Sequence, residues 1–175
     1  MVTILQLVIA VMARWGVLMN KATQQTMFSS KTGNWATPQE FFEKLDWRFG
    51  PFDLDPCASP FNAKCANFFT EAENGLEKDW AGFTCFVNPP YGRGIDKWIE
   101  KGYNEAMKNE TKVVMLIPAR TDTKYWHKYV MKASEIHFVK GRLKFGDSKN
   151  PAPFPSAVIV FDGGEDLWRV EGINR

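Results

Sequence analysis

The segments "FTCFVNP" (Phe83–Pro89) and "KVVMLIP" (Lys112–Pro118) run apolar almost without a break. A strand with one wet face alternates apolar and polar residues, so an unbroken apolar run of strand length has to be covered on both faces. Both runs end in proline, which lacks the N–H needed to extend a ladder or a helix. "EIHFVKG" and "SAVIVFD" supply two more strands, "FDLDP" a short one stopped by Pro56, and Asn67–Thr70 another. Helical segments lie between them. "IDKWIEKGYNEAMKN" sets Ile95, Trp98, Ile99, Ala106 and Met107 three and four residues apart, and a second helix is expected around Asp122–Met131. Upstream, Thr37 has the character of an N-cap, Pro38 of a first helical residue and Glu40 of the third position of a capping box. Phe41, Phe42 and Leu45 then form one face that ends near Gly50. Strands alternating with helices predict a compact three-layer α/β/α domain around a mostly parallel sheet.

At 175 residues, 45% hydrophobic and 24% charged, the chain has enough apolar material for one ordered core. A disordered tail is excluded. Residues 101–175 carry thirteen Lys/Arg against nine Asp/Glu, while residues 1–100 carry nine against eleven. That surplus suits phosphates, and it suits a solvated surface equally. Three cysteines (Cys57, Cys65, Cys85) with no CxxC pair, and two distant histidines, do not make a metal site, so no metal is expected. The cysteines read as small buried residues in a reducing compartment. Residues 1–27 read as an extension upstream of a later start at Met19 or Met27, with residues 28–175 as the domain. A helix packed on the domain and a weak membrane anchor are the competing readings. Val2–Ala13 is apolar but short of the ~20 residues of a membrane span, and no membrane partner is expected.

In sheets of this kind ligands bind beyond the carboxyl ends of the strands. That rule puts Asp53–Ser59 and Asn88–Gly92 on one edge. In the second loop, the Asn88 side-chain oxygen and the Pro89 carbonyl are acceptors for one planar amino group. The two prolines fix their geometry, and Tyr91 offers a ring face. Two acceptors on an exocyclic amine favour pyramidal nitrogen and aim its lone pair, which is catalysis by positioning and electrostatics.

Asn88-Pro89-Pro90-Tyr91 resembles the Asp/Asn/Ser-Pro-Pro-aromatic signature of amino-methyltransferases. The wider set "WATPQEFF", "FDLDPCASPFNAKC", "FVNPPYG", "LIPARTDT", "GRLKFG" and "APFPSAVIVF" is similar to the phage-type, Dam-like DNA N6-adenine methyltransferases. The resemblance implies a Rossmann-like fold, S-adenosylmethionine as cofactor, DNA as partner and the bacterial host cytoplasm as the place of action. It implies that Asn88, Pro89, Pro90 and Tyr91 form the target-amine loop. Asp53, Asp55, Pro56, Cys57, Ala58 and Ser59 would receive the methionine part of the cofactor, with Thr37 and Pro38 lining the same pocket. Cys57-Ala58-Ser59 stands where many such enzymes carry Gly-x-Gly. Asp55 and Glu71 are the two candidates for the ribose, and Asp79 is expected near the cofactor's adenine.

The target base must flip out of the duplex. Arg93, Arg120 and Lys144 are expected on phosphates, with plain surface charge as the other reading. Phe154-Pro155 is either a second wall of the base pocket or core. Asp53 and Asp55 have a competing reading as turn or capping carboxylates, and His127 is expected on an exposed helix face. The rival functions are methylation of RNA adenine, cytosine N4 or protein glutamine, and a nucleic-acid-binding module without catalysis.

Overall fold

The computed structural model describes residues 35–108, 110–146, 148–163 and 169–174. The expectations for residues 1–27, and the start of the domain at Phe28, lie outside them. Among the described residues seven strands form one mixed sheet: β1 (Leu54–Asp55), β2 (Asn67–Phe68), β3 (Thr84–Val87), β4 (Lys112–Pro118), β5 (Glu135–Lys140), β6 (Ser156–Asp162) and β7 (Arg169–Asn174). Their spatial order is β2-β1-β3-β4-β6-β5-β7. Every pairing is parallel except those of β6, which runs antiparallel to both β4 and β5. The helices are α1 (Gln39–Phe49), α2 (Ile95–Ala106) and α3 (Lys124–Lys128), the last followed by a 3-10 turn at Val130–Lys132.

The unbroken apolar runs are explained by two cores, one on each face of the sheet. Successive residues of β4 alternate between them: Val113, Met115 and Ile117 join one cluster, Val114 and Leu116 the other. β6 does the same, with Ala157, Ile159 and Phe161 on one face and Val158 and Val160 on the other. Each such Val, Leu, Ile, Met or Phe side chain, removed from water, contributes about 1.5–3 kcal/mol. The first core is closed by α2 and α3 through Ile95, Ile99, Ala106, Tyr125 and Trp126. The second is closed by α1, whose Phe41, Phe42, Leu45 and Phe49 form one stripe, and by the loop that joins β5 to β6.

Three expectations change. Thr37 does not cap α1: the helix starts at Gln39, no side-chain cap bond is made, and the Pro38 carbonyl receives Phe41 N and Phe42 N at 3.1 and 3.0 Å. The helix expected over Asp122–Met131 is a five-residue α-turn and a 3-10 turn, because the chain has to drop at once into β5. Met107 falls just beyond α2 and is exposed. β7 was not foreseen from the sequence. His127 is exposed, as expected.

The edge where β1, β3, β4 and β5 end and β6 begins carries the loops that matter. Gly75 sets the position of the first of them, since a Cβ there would lie 2.0 Å from the Pro56 carbonyl oxygen.

Candidate active site

β3 delivers Asn88 to that edge directly after the fully buried Val87. The Asn88 amide nitrogen donates to the Trp35 carbonyl and to Thr37 Oγ1, the latter at 2.9 Å. Both N–H groups are therefore used within the protein. The amide oxygen, Oδ1, is buried and has no hydrogen-bond partner. An acceptor in that state costs about 1–3 kcal/mol, a cost offset only when a donor arrives. Pro89 is buried and Pro90 exposed, so the stiff turn is anchored by its first ring.

Tyr91 is half-buried among aromatic rings. Trp35 faces it nearly parallel, with centroids 6.4 Å apart at 24°. Phe145 and Phe154 meet it edge-on at 5.9 and 5.4 Å. Its hydroxyl donates to the Leu116 carbonyl at 3.2 Å, and burial holds its ionisation well above the ordinary value. Tyr91 is thus a fixed neutral ring and no base. Phe154 packs against Trp35 as well, at 5.1 Å and 84°, while Pro155 is exposed and its carbonyl receives Ala119 N at 2.9 Å. Trp35 and Phe145 were not singled out from the sequence. The Trp two residues ahead of Thr37-Pro38 was the available signal.

Asp55 ends β1 with 4% of its surface exposed. Its two oxygens accept from Cys57 N at 3.3 Å and Lys64 N at 3.1 Å. Burial raises its pKa from 3.8 to about 6, although those two N–H bonds and the Lys64 charge pull the other way. Asp55, Cys57, Thr37 and Asn88 share one crevice with Asn62 and Lys64, a cavity of about 20 Å3. Burial, then the charges of Asp55 and Glu71, push the Cys57 thiol up, so it is neutral. Cys65 is likewise raised to about 12, and all three cysteines are free thiols.

The other expected residues are spread out. Ala58 N donates to the Phe69 carbonyl at 3.0 Å, and Ser59 is tied through N and Oγ to Asn62 Oδ1, so both shape the loop over Asp55. Pro56 is buried beneath Gly75, and Pro38 opens α1. Glu71 is exposed beyond β2, on the same edge and near Cys57. Asp53 is outside the crevice: its carboxylate accepts Thr84 N at 2.8 Å and its own N–H goes to the Thr84 carbonyl, which fastens the start of β1 to β3. Asp79 is at the far edge, exposed and paired with Lys108 at 2.6 Å beyond the end of α2. That bond and the Ala81 N–H lower its pKa.

Arg93, Arg120 and Lys144 are exposed on loops of the crevice edge. Lys144 also lines, with Lys44 and Arg142, a cleft of about 320 Å3 that begins at Pro38. Among the described residues no group of His, Cys, Asp and Glu could hold a metal ion, and no helix is long and apolar enough to cross a membrane.

The edge thus brings together an acceptor without a partner, a group of aromatic rings and a buried carboxylate. The chain belongs to the DNA N-6-adenine-methyltransferase (Dam) family, whose model matches residues 24–160. It is similar to the DNA N-6-adenine-methyltransferase of Haemophilus phage HP1, 31% identical over 135 residues, covering 73% of this chain and 78% of that protein. It is also similar to the DNA N-6-adenine-methyltransferase of Escherichia phage T1, 31% identical over 142 residues. That match covers 81% of this chain and 58% of the phage T1 protein.

Proposed function

We propose that this chain, a DNA adenine methyltransferase by family, transfers methyl from S-adenosylmethionine to N6 of an adenine flipped out of DNA, with Asn88 as the acceptor for the amine. The observation that carries this is the Asn88 amide: both its N–H groups are engaged and its buried oxygen is left for a donor. A flipped base has an exocyclic N–H to give, and Tyr91 beside it has an immobile ring for stacking, worth about 1–3 kcal/mol per base. With its lone pair aimed by Asn88 Oδ1 and the Pro89 carbonyl, the nitrogen needs no strong base to attack.

The residues suit the cofactor chemically. S-adenosylmethionine supplies, when bound, an electrophilic methyl on a cationic sulfur. Asp55 is a desolvated carboxylate that gains from a cation nearby, and Thr37, Cys57 and Ala58 are small neighbours along the same loops. The cavity of about 20 Å3 accommodates about one water, so cofactor binding requires the crevice to widen. Glu71, on the same edge, is the proposed ribose contact. Asp53 and Asp79 keep their structural partners.

The two-sided core supports a Rossmann-like three-layer α/β/α arrangement. Arg93, Arg120 and Lys144, exposed on loops of the crevice edge, are the proposed contacts to phosphates flanking the flipped nucleotide, and the bacterial cytoplasm is the proposed place of action. Incubation with radiolabelled S-adenosylmethionine and unmethylated DNA, followed by nucleoside analysis, tests the reading. Label in N6-methyladenine, lost in Asn88→Ala, is expected. Label confined to RNA, protein or N4-methylcytosine refutes it.

A further inference from the structure

Thr37 stands where a helix cap is expected and does not cap. The amides it would have satisfied are served by the Pro38 carbonyl, and its own oxygen, 5% exposed as a residue, accepts from Asn88 Nδ2 at 2.9 Å. The other N–H of the same amide goes to the Trp35 carbonyl. A backbone carbonyl has lone pairs and no proton, so turning the Asn88 amide over would press oxygen against oxygen. Asn88 has no proton left for a ligand. Towards the crevice it only accepts.

We propose that Thr37 is a positioning residue: the Trp35 carbonyl sets which way the Asn88 amide faces and the Thr37 hydroxyl, accepting the second N–H, holds it there, so the site takes a base with an amino group and rejects one with a carbonyl oxygen there. The proposal rests on the reading of Asn88 as the target-amine acceptor. The carbonyl oxygen of an oxo base in the place of the amine would set its lone pairs against Asn88 Oδ1, and neither oxygen carries a proton to donate. The choice is built into the free protein by two hydrogen bonds that reach back 51 and 53 residues along the chain.

The test compares wild type with Thr37→Val, which keeps the shape and removes the hydroxyl, and Thr37→Ser, which restores it. In the free protein, amide exchange of the Asn88 side-chain NH2, followed by NMR, is expected to be protected in wild type and Thr37→Ser and faster in Thr37→Val. With S-adenosylmethionine and adenine-containing DNA, Thr37→Val is expected to lose kcat about tenfold, the effect of one neutral hydrogen bond, a larger loss than any in cofactor affinity because the side chain keeps its shape. Thr37→Ser recovers most of it. A duplex with hypoxanthine at the target is expected to inhibit Thr37→Val more strongly than wild type, the same DNA serving both so that its pairing strength cancels. Unchanged NH2 exchange in Thr37→Val overturns the proposal, as does an unchanged kcat, or a loss confined to cofactor Kd. If wild type methylates no adenine, the reading beneath it falls, while the NH2 exchange still decides whether Thr37 holds Asn88.

Discussion

Asp55 makes the protein less stable as the solution becomes more basic, against the usual behaviour of paired carboxylates. Its pKa is 3.8 in an ordinary setting and about 6 in the fold, with burial as the main cause. Between those values the folded protein holds a proton that the unfolded chain has released, so stability falls as pH rises through that window. The gap is worth about 3 kcal/mol in full, of which about 2 kcal/mol falls between pH 4.5 and 7. The contributions of Glu73, Asp79 and Glu105, whose pKa values are lowered, have the opposite sign and are lost below about pH 4.5. Asp55→Asn keeps one oxygen for the loop amides and removes the titration. Urea unfolding of wild type and Asp55→Asn at pH 4.5, 5.5, 6.5 and 7.5 isolates the effect. The wild type is expected to lose about 2 kcal/mol relative to the variant across that range. Parallel curves would show that Asp55 ionises as it does in water, and the argument from burial would fail. A cationic ligand beside the carboxylate reverses the cost, so cofactor affinity is expected to rise about tenfold from pH 5 to 7 in wild type and to stay level in the variant.

Two further outcomes follow from the geometry. Gly75→Ala is expected to lower the urea midpoint by an amount equivalent to about 1–3 kcal/mol, and to weaken cofactor binding, because its Cβ meets the Pro56 carbonyl at 2.0 Å; a wild-type midpoint would refute this. Arg93→Ala, Arg120→Ala and Lys144→Ala are each expected to weaken DNA binding uniformly across sequences and to reduce the salt slope by about 0.9 per phosphate lost. An unchanged slope removes that residue from the interface.

β3, β4 and β6 were legible because burial on both faces writes itself as unbroken apolar sequence. β7 was not: "RVEGIN" mixes Arg, Glu and Gly into a strand that, among the described residues, pairs on one side with β5 and has no strand on the other. The Asn88–Tyr91 turn was visible for its proline stiffness, whereas the role of Thr37 was hidden by a good local alternative. Its capping pattern is sound, and only a partner 51 residues away draws the hydroxyl elsewhere. Asp53 and Asp55 look alike in "FDLDP", yet one pins two strand starts together and the other is buried at a strand end. Asp79 reads as one more acidic residue after a turn, and its partner Lys108 comes from the far end of α2. Separation in space, invisible to local patterns, accounts for each of these.

The antiparallel placement of β6 has a consequence for how such a protein can change. Because β5 ends and β6 begins on the crevice edge, the connection between them has both feet on the sheet, and its described residues bring Phe145 and Phe154 to Tyr91. The carboxylate half of the edge comes from different chain, the stretch from Asp55 to Lys64. The aromatic half can therefore be lengthened, shortened or rewritten in a single segment while the other half is left as it is. On the proposed reading of the two halves, the choice of target and the supply of methyl are separately heritable.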